Sequence, residues 1–395
     1  MNFDNKINRL GTDCYKWDGM QEKFGRTDLL PLWVADMDFP AADVIIDALA
    51  ERVRHGVFGY TFRPETYYQS IINWHNQRHS SVIERSWILD LPGVVPGICL
   101  ALQAIISSGD RVLIQTPVYD PFFQAVQDNG GELVVSPLKL VNNHYEIDFT
   151  DLEIKLANDV KVMLFCSPHN PVGRVWNLQE LSRICELCVK NDVLLIADEI
   201  HSDLIFEPYR HIPAATISEE IKQRIIVLNA PSKTFNIAGL TTSYAVIPSE
   251  EIRRKVNEMI EKNHLILGNI FGNLALQTAY QQGAQWLDQL LIYLQNNYCF
   301  LRDYITREIP AVRVIRMEGT YLAWLDFREF GLNDSDLEKL LVDKAKIGLT
   351  PGIQYGQNGS GFMRLNFGCP RNILEQTLIR MKHALSQYAM NGSSL

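Results

Sequence analysis

Four polar side chains that could take part in catalysis each follow a short apolar run of the sequence. They are a lysine, a carboxylate, an amide and a phenol. Lys233 follows the run Ile225–Leu228, Asp198 follows Val193–Ala197, Asn170 follows Val162–Cys166, and Tyr119 follows Arg111–Gln115. We interpret the runs as parallel strands, and in an open α/β sheet ligands bind at the carboxyl ends of the strands. The four side chains are therefore expected at one rim of a sheet.

An anion-binding segment is expected at the same rim. The segment Pro92-Gly93-Val94-Val95-Pro96-Gly97 opens a predicted helix that begins near Pro96 and runs to Ser107. A helix start offers free backbone N–H groups and a positive dipole end to a phosphate. A lysine for a Schiff base, an acid for a pyridinium nitrogen and a phosphate site together meet the needs of pyridoxal phosphate. Each element alone also has a purely structural interpretation, such as a buried ion pair.

The elements that must position these residues alternate along the chain. From about residue 64 to residue 285, amphipathic segments such as Pro64 to His79 alternate with short β-branched runs, which also include Glu132–Ser136 and Ser243–Ile247. Several runs are apolar on both faces, as in a sheet covered on both sides. The pattern predicts a three-layer α/β domain with a largely parallel sheet.

A smaller α+β domain is predicted after this region. A long helical pattern follows residue 286, and strand patterns then occur at Val312–Arg316, Tyr321–Asp326 and Met363–Asn366. We therefore divide the chain into a large domain at 46–285 and a small domain at 286–395, which the N-terminal segment 1–45 joins.

Composition excludes several classes of protein. The 395 residues are 47% hydrophobic and carry a net charge of −9, so a disordered chain and a nucleic-acid-binding protein are not expected. Apolar runs fall far short of the ~20 residues of a spanning helix, and the first residues lack the features of a signal peptide. We expect a cytoplasmic protein that binds neither membranes nor nucleic acid, with its seven scattered cysteines reduced.

Two pairs of residues have the spacing of metal ligands. Cys185 and Cys188 share one face of a predicted helix, and we expect buried core thiols because free cysteine packs as a small hydrophobe. His75 and His79 are four residues apart, but Asn76 stands where a zincin has its glutamate. We expect these histidines on a solvated helix face, and we predict no metal site.

Longer motifs resemble a known family along essentially the whole chain. The most specific are Asp36-Met37-Asp38-Phe39, His55-Gly56-Val57-Phe58-Gly59-Tyr60, Asp198-Glu199-Ile200-His201, Ser232-Lys233-Thr234-Phe235-Asn236, Tyr321-Leu322-Ala323-Trp324-Leu325-Asp326 and Arg364-Leu365-Asn366. They resemble fold-type I pyridoxal-phosphate enzymes of the class I/II aminotransferase superfamily. Within it, the chain is similar to the MalY/PatB-type cystathionine β-lyases, a subgroup of carbon–sulfur lyases.

The resemblance implies a role for each site residue. Lys233 corresponds to the Schiff-base lysine, Asp198 to the partner of the pyridine nitrogen, and Arg364 to the arginine that binds the substrate carboxylate. The remaining residues would bind the cofactor: Asn170 at the phenolic oxygen, Tyr119 on the ring face, the Val94 and Val95 backbone and the Ser232 hydroxyl at the phosphate, and Tyr60 at the phosphate of the neighbouring subunit. That last role implies a homodimer with shared active sites.

Two positions depart from the pattern of ordinary aminotransferases. Thr241 stands where those enzymes usually have an arginine that pairs with the cofactor phosphate, and His201 stands where they usually have a tyrosine that binds the phenolic oxygen. Both departures agree with the lyase subgroup. They leave open what neutralises the phosphate, and whether His201 titrates or only packs near the ring.

The implied activity is β-elimination from an L-cysteine S-conjugate, with L-cystathionine as the leading candidate. The products would be a thiol (homocysteine), pyruvate and ammonia, which suggests methionine biosynthesis or sulfur-compound breakdown. Two alternatives stay open at this point. One is an aminotransferase, and the other is a protein that keeps the fold and regulates a transcription factor by binding it.

Overall fold

The computed structural model describes residues 2–390 of the chain. Its strands, in chain order, are β1 (Leu30–Pro31), β2 (Ile88–Leu91), β3 (Arg111–Ile114), β4 (Glu132–Val135), β5 (Lys139–Val141), β6 (His144–Glu146), β7 (Val160–Cys166), β8 (Leu194–Asp198), β9 (Ile225–Asn229), β10 (Ser243–Val246), β11 (Arg313–Val314), β12 (Leu322–Asp326), β13 (Ile347–Gly348), β14 (Thr350–Pro351) and β15 (Phe362–Asn366).

The helices alternate with these strands. In chain order they are α1 (Met20–Phe24), α2 (Asp43–His55), α3 (Glu65–His79), α4 (Val94–Ile105), α5 (Pro121–Asp128), α6 (Phe149–Leu156), α7 (Leu178–Lys190), α8 (Glu219–Lys222), α9 (Pro231–Thr234), α10 (Glu250–Lys262), α11 (Ile270–Gln282), α12 (Ala284–Glu308), α13 (Asp334–Lys339) and α14 (Arg371–Met390). Across the described residues, none of them combines the length and the apolar character needed to cross a membrane.

A seven-stranded sheet forms the centre of the molecule, in the order β2-β10-β9-β8-β7-β3-β4. The pairs that join β4, β3, β7, β8 and β9 are parallel, and β10 is antiparallel to both of its neighbours. Side chains alternate between two cores: Val162 and Leu164 pack with α4, α5 and α10, whereas Met163 and Phe165 pack with α3, α7 and α11. The predicted three-layer α/β architecture is therefore confirmed.

All six strands predicted for this sheet are present, and one more occurs that the sequence did not indicate. The edge strand β2 has only four residues, and Asp90 interrupts its apolar pattern. The side chain of Asp90 accepts a hydrogen bond from Tyr68 and lies 3.2 Å from Arg63 Nε. Long-range partners, rather than local alternation, therefore stabilise this strand.

The C-terminal part of the chain forms a four-stranded antiparallel sheet in the order β11-β12-β15-β14. The 25-residue helix α12 corresponds to the predicted long helix. The N-terminal segment adds the strand β1 to this part of the molecule, because β1 pairs in parallel with β13. The smaller α+β unit is thus present, while the exact boundaries at 45/46 and 285/286 stay a prediction, and residues 391–395 lie outside the described part.

The two pairs with metal-ligand spacing are both buried. Cys185 and Cys188 lie in the core as predicted, and burial raises the pKa of both thiols. The prediction of a solvated face for His75 and His79 is wrong. His75 is only 3% exposed and its Nε2 lies 2.9 Å from the Tyr244 hydroxyl, because α3 packs with this face against the sheet. His79 Nε2 lies 3.0 Å from a carboxylate oxygen of Asp203.

Candidate active site

The carboxyl ends of the parallel strands bring the predicted polar residues to one rim. Asp198 is the last residue of β8, and Asn170 lies in the loop that follows β7. After β9 the chain turns directly into the short helix α9, which carries Lys233. Because β7, β8 and β9 are adjacent and parallel, these three side chains meet although they are far apart in sequence.

The helix α4 begins at the same rim. Its first residues are Val94 and Val95, and its N-cap residue Gly93 provides no capping side chain. Gly97 lets this helix approach the sheet closely, since a Cβ at that position would lie 2.7 Å from a methyl carbon of Leu91 and 3.3 Å from one of Leu228. The backbone N–H groups at the helix start are therefore available to an anion.

A cavity of about 310 Å³ lies between these elements. Eight of the ten predicted site residues line it, namely Val94, Val95, Tyr119, Asn170, Asp198, His201, Ser232 and Lys233. Among the described residues that line this cavity, Lys233 is the only cation. An anion bound there would rely on backbone amides and hydroxyl groups rather than on an arginine.

The two titratable groups at the base of the cavity have shifted pKa values. Burial raises the pKa of Asp198 to about 6, and its carboxylate accepts one hydrogen bond, from the Ile200 N–H at 3.1 Å. Burial, followed by the positive charge of Arg364, lowers the pKa of Lys233 to about 8. Lys233 Nζ donates to the Ala35 carbonyl oxygen at 2.6 Å. A buried amine with a depressed pKa is a better nucleophile and base at neutral pH.

Arg364 lies on β15 at the border of this cavity. Its guanidinium donates to the Asn170 side-chain oxygen at 3.3 Å and to the Trp33 carbonyl oxygen at 2.8 Å, and its Nε has no partner within the chain. The residue is 5% exposed and packs over the Tyr355 ring. A buried guanidinium with spare donors fits a carboxylate ligand.

His201 is neutral in this environment. Burial, followed by the charges of Lys233 and Arg364, lowers its pKa to about 3. Its Nδ1 is buried without a hydrogen-bond partner within the chain, and its ring meets Tyr321 edge-on at 6.1 Å. The structure therefore favours a packed, non-titrating imidazole that keeps one hydrogen-bonding atom for a ligand.

Two predicted site residues do not line this cavity: Arg364, which donates to its lining residue Asn170, and Tyr60. Tyr60 lies between α2 and α3 and is 96% exposed, next to Phe58 and Phe62, which are also exposed. Its predicted contact with the phosphate of a neighbouring subunit stays a prediction.

Sequence reasoning missed a contribution from the N-terminal segment. The Ala35 carbonyl oxygen accepts hydrogen bonds from Lys233 Nζ and from the Tyr321 hydroxyl, and Ala35 also lines the cavity. The neighbouring motif that begins at Asp36 was the available signal, but no property of an alanine points to a role for its backbone.

Comparison with known proteins gives the site its context. The profile of the family described as aminotransferase class I and II matches residues 27–380. The chain belongs to this family. Within the family, it is 42% identical to the cystathionine beta-lyase PatB of Bacillus subtilis over 387 residues, which cover 98% of this chain and 100% of PatB.

Two further members of the family are similar along nearly their whole length. Protein MalY of Escherichia coli is 35% identical, with 97% of this chain and 98% of MalY covered. The crystal structure of cystalysin from Treponema denticola, which contains pyridoxal 5′-phosphate, has a TM-score of 0.95 at 34% identity and covers 98% of this chain and 99% of its own. The predicted resemblance to the MalY/PatB subgroup is confirmed.

The residues present fit the cofactor of this family. Asp198 has accepting capacity beyond its bond to Ile200, His201 Nδ1 and Arg364 Nε are buried without partners, and the start of α4 is uncapped. Buried polar groups in native proteins are nearly always hydrogen-bonded. The unsatisfied imidazole nitrogen in the cavity lining and the unsatisfied guanidinium nitrogen beside it are therefore available to a polar ligand.

Thr241 sets this chain apart from the arginine-bearing aminotransferases. Thr241 lines the cavity. Its backbone adopts the left-handed conformation (φ 44°), which is rare for a β-branched residue. Strained backbone of this kind occurs at ligand sites that the surrounding structure holds firmly. The cavity therefore has a threonine hydroxyl at this position in place of the aminotransferase arginine.

Proposed function

We propose that this enzyme is a pyridoxal-phosphate-dependent carbon–sulfur β-lyase that cleaves L-cystathionine or related L-cysteine S-conjugates. The observation that carries the proposal is the 42% identity over nearly the full chain to a cystathionine beta-lyase, PatB. The geometry of the cavity supports it, because Lys233, Asp198 and Asn170 line one space and Arg364 donates to the Asn170 side chain.

In this proposal, Lys233 and Asp198 hold the cofactor at its two reactive ends. Lys233 would bind it covalently, and the Asp198 carboxylate would accept a hydrogen bond from the protonated ring nitrogen. When bound, pyridoxal phosphate withdraws electrons from the substrate Cα, which makes the Cα proton acidic. Asn170 and Tyr119 would fix the ring, while the backbone at Val94 and Val95 and the Ser232 hydroxyl would hold the phosphate.

The chain's own residues would then orient the substrate and move one proton. Arg364 would bind the α-carboxylate through its guanidinium, which fixes the direction of the Cα–H bond. Once the substrate amine has replaced it at the cofactor, the free Lys233 Nζ would take the Cα proton as general base, and its lowered pKa favours this at neutral pH. The thiolate would then leave Cβ, and reaction of the remaining three-carbon amine with water would give pyruvate and ammonia.

A stoichiometry measurement tests the proposed reaction. Purified holoenzyme, L-cystathionine and no 2-oxo acid are expected to yield pyruvate and homocysteine in equal amounts. An aminotransferase would instead need a 2-oxo acid for turnover, so amino-group exchange without thiol release would overturn the proposal.

We further propose a homodimer in which Tyr60 reaches the partner's cofactor phosphate. The support is an exposed apolar surface made of Val57, Phe58, Tyr60, Phe62, Ile266 and Leu267. Its two segments are adjacent, since Arg63 donates to the Ile266 carbonyl oxygen and the Phe58 ring lies 5.5 Å from that of Phe271. Exposed apolar surfaces of this kind mark protein interfaces.

The physiological role also remains a proposal. Release of homocysteine would place the enzyme in methionine biosynthesis or in the breakdown of sulfur compounds. The cytoplasmic location stays a prediction from the sequence.

A further inference from the structure

A second cavity, of about 370 Å³, adjoins the cavity of about 310 Å³ that contains Lys233. Ala238 lines both cavities. Ala35 lines the first cavity, and the next residue, Asp36, lines the second one. The Ala35 carbonyl oxygen is 2.6 Å from Lys233 Nζ. The second cavity is therefore one residue away from the reacting amine.

A charged pair, Arg9 and Asp36, forms one wall of this second cavity. The guanidinium of Arg9 binds the Asp36 carboxylate in a fork, with Nη1–Oδ1 and Nη2–Oδ2 distances of 3.1 and 2.6 Å. The side chains stay 22% and 21% exposed. The pair thus presents one positive and one negative group to the space next to the site of reaction.

The pair is anchored from the core side. Lys16 Nζ and Trp17 Nε1 donate to the two oxygens of Asp38 at 2.7 and 2.9 Å, and Asp38 also accepts from Arg9 at 2.7 Å. Lys16 is fully buried. Because Asp38 holds Arg9 from within, the outer edge of the pair keeps a fixed position.

We propose that the second cavity binds the amino-acid head group of the leaving thiol, with Arg9 at its carboxylate and Asp36 at its ammonium group. The inference rests on the proposed lyase function and adds a binding position for the distal zwitterion of L-cystathionine. A paired arginine and aspartate match a zwitterion in charge and in hydrogen-bond type. A substrate with an alkyl arm would place no charged group beside the pair.

Four substrates that share the cysteine half test this in the wild-type holoenzyme. They are L-cystathionine, S-carboxypropyl-L-cysteine, which lacks the distal ammonium, S-aminopropyl-L-cysteine, which lacks the distal carboxylate, and S-propyl-L-cysteine, which lacks both. Each missing group is expected to lower kcat/KM about tenfold, the usual scale for a charged hydrogen bond, mainly through KM. Equal kcat/KM for all four would overturn the inference and leave the lyase function standing. If none of the four substrates yields pyruvate, both the inference and the proposed lyase function are overturned.

Variants then connect each group to its residue. Arg9→Met is expected to lower kcat/KM more steeply on the two substrates that carry the distal carboxylate, and Asp36→Asn on the two that carry the distal ammonium. Equal losses on all four substrates would overturn the inference, since that is the result of a purely structural role. If Arg9→Met does not fold, Arg9→Lys keeps the charge on the Asp38 anchor, and the same comparison applies.

A matched control is available on the same N-terminal segment. Arg26 forms a forked pair with Asp28 at 2.7 and 2.8 Å, outside both cavities. Arg26→Met is expected to retain the wild-type order of the four substrates. A change in that order equal to the change in Arg9→Met would contradict a specific role of the Arg9–Asp36 pair.

Discussion

Polar residues in two neighbouring regions of the molecule are largely buried but differ in how many partners they have. The first region is the cavity, with Asp198, His201 and Lys233. The second is a buried network behind it, composed of Glu199, Asp203, Thr234, His79 and His211. The two sets are interleaved in sequence, so that Asp198 precedes Glu199 and Lys233 precedes Thr234.

The buried network is well satisfied. Asp203 accepts hydrogen bonds from the side chains of Trp74, His79 and Thr234, and Glu199 accepts from His211 and from the Ala214 N–H. Burial raises the pKa of Asp203, but the bonds and charge of its neighbours outweigh burial, so the net shift is downward.

The cavity groups lack such compensation. Asp198 has one backbone donor, and burial dominates its pKa, which rises to about 6. His201 Nδ1 has no partner within the chain. Burial alone therefore does not identify a functional residue, and neither does a missing partner alone, since His75 Nδ1 and Gln115 Oε1 are also buried without one within the described chain. Titratable groups with few partners that line one cavity do.

The largest effect on activity is expected from substitution of Lys233, and substitution of its neighbour Thr234 should have little effect on activity. Lys233→Ala is expected to lower β-elimination by ~10³-fold or more and to abolish the ~420 nm absorption of the bound cofactor, because both depend on the amine. Thr234→Val should keep that absorption and lower only stability. A Lys233→Ala protein with full turnover and an unchanged spectrum would refute the assignment.

Removal of Asp203 should affect stability most. Asp203→Ala leaves the donors of Trp74, His79 and Thr234 without their acceptor, and we expect the free energy of unfolding to fall by about 3 kcal/mol. Chemical denaturation of the cofactor-free protein measures this. Asp198→Asn, made in parallel, should destabilise the cofactor-free protein much less, and equal losses would contradict the distinction between the two regions.

A smaller, kinetic effect is expected at Arg364. Arg364→Met should raise KM roughly 10- to 100-fold with a smaller change in kcat, since it removes charged hydrogen bonds to the substrate carboxylate. Steady-state kinetics on L-cystathionine measure the split. Arg328→Met is a suitable control, because Arg328 pairs with Asp326 on the same sheet and is half exposed. An unchanged KM in Arg364→Met would rule out the carboxylate contact.

The pH dependence of stability should also reveal the shifted pKa of Asp198. The pKa of Asp198 is about 6 in the folded protein against an ordinary 3.8, so the unfolded chain releases this proton first as pH rises. Stability of the cofactor-free protein should therefore fall between about pH 4 and pH 6, by about 3 kcal/mol at most relative to Asp198→Asn. If plots of stability against pH for the wild type and Asp198→Asn run parallel, Asp198 has an ordinary pKa and the prediction is wrong.

Much of the site was predictable because parallel strands place their carboxyl ends together. That rule alone brings Asn170, Asp198 and Lys233 to one rim, and it also predicts the sheet that carries them. Local patterns were sufficient for these elements because both faces of the central strands are apolar.

The remaining features depend on contacts between distant segments. Ala35 acts through its carbonyl oxygen, 198 residues from Lys233, and no side-chain pattern reports such a bond. His75 lies on a helix face that looks polar, yet its side chain is buried in the core, where Nε2 lies 2.9 Å from the Tyr244 hydroxyl and Nδ1 has no partner among the described residues. A sequence shows which polar groups are present but not which of them find partners.

The most direct test of the proposed catalytic site is to locate the covalent bond between the protein and its cofactor. Borohydride reduction of the holoenzyme, followed by peptide mass spectrometry, should find the pyridoxyl group on Lys233 and on no other lysine. Labelling of a different lysine, or of none, would contradict the assignment of the cavity that contains Lys233, Asp198 and His201 as the catalytic site.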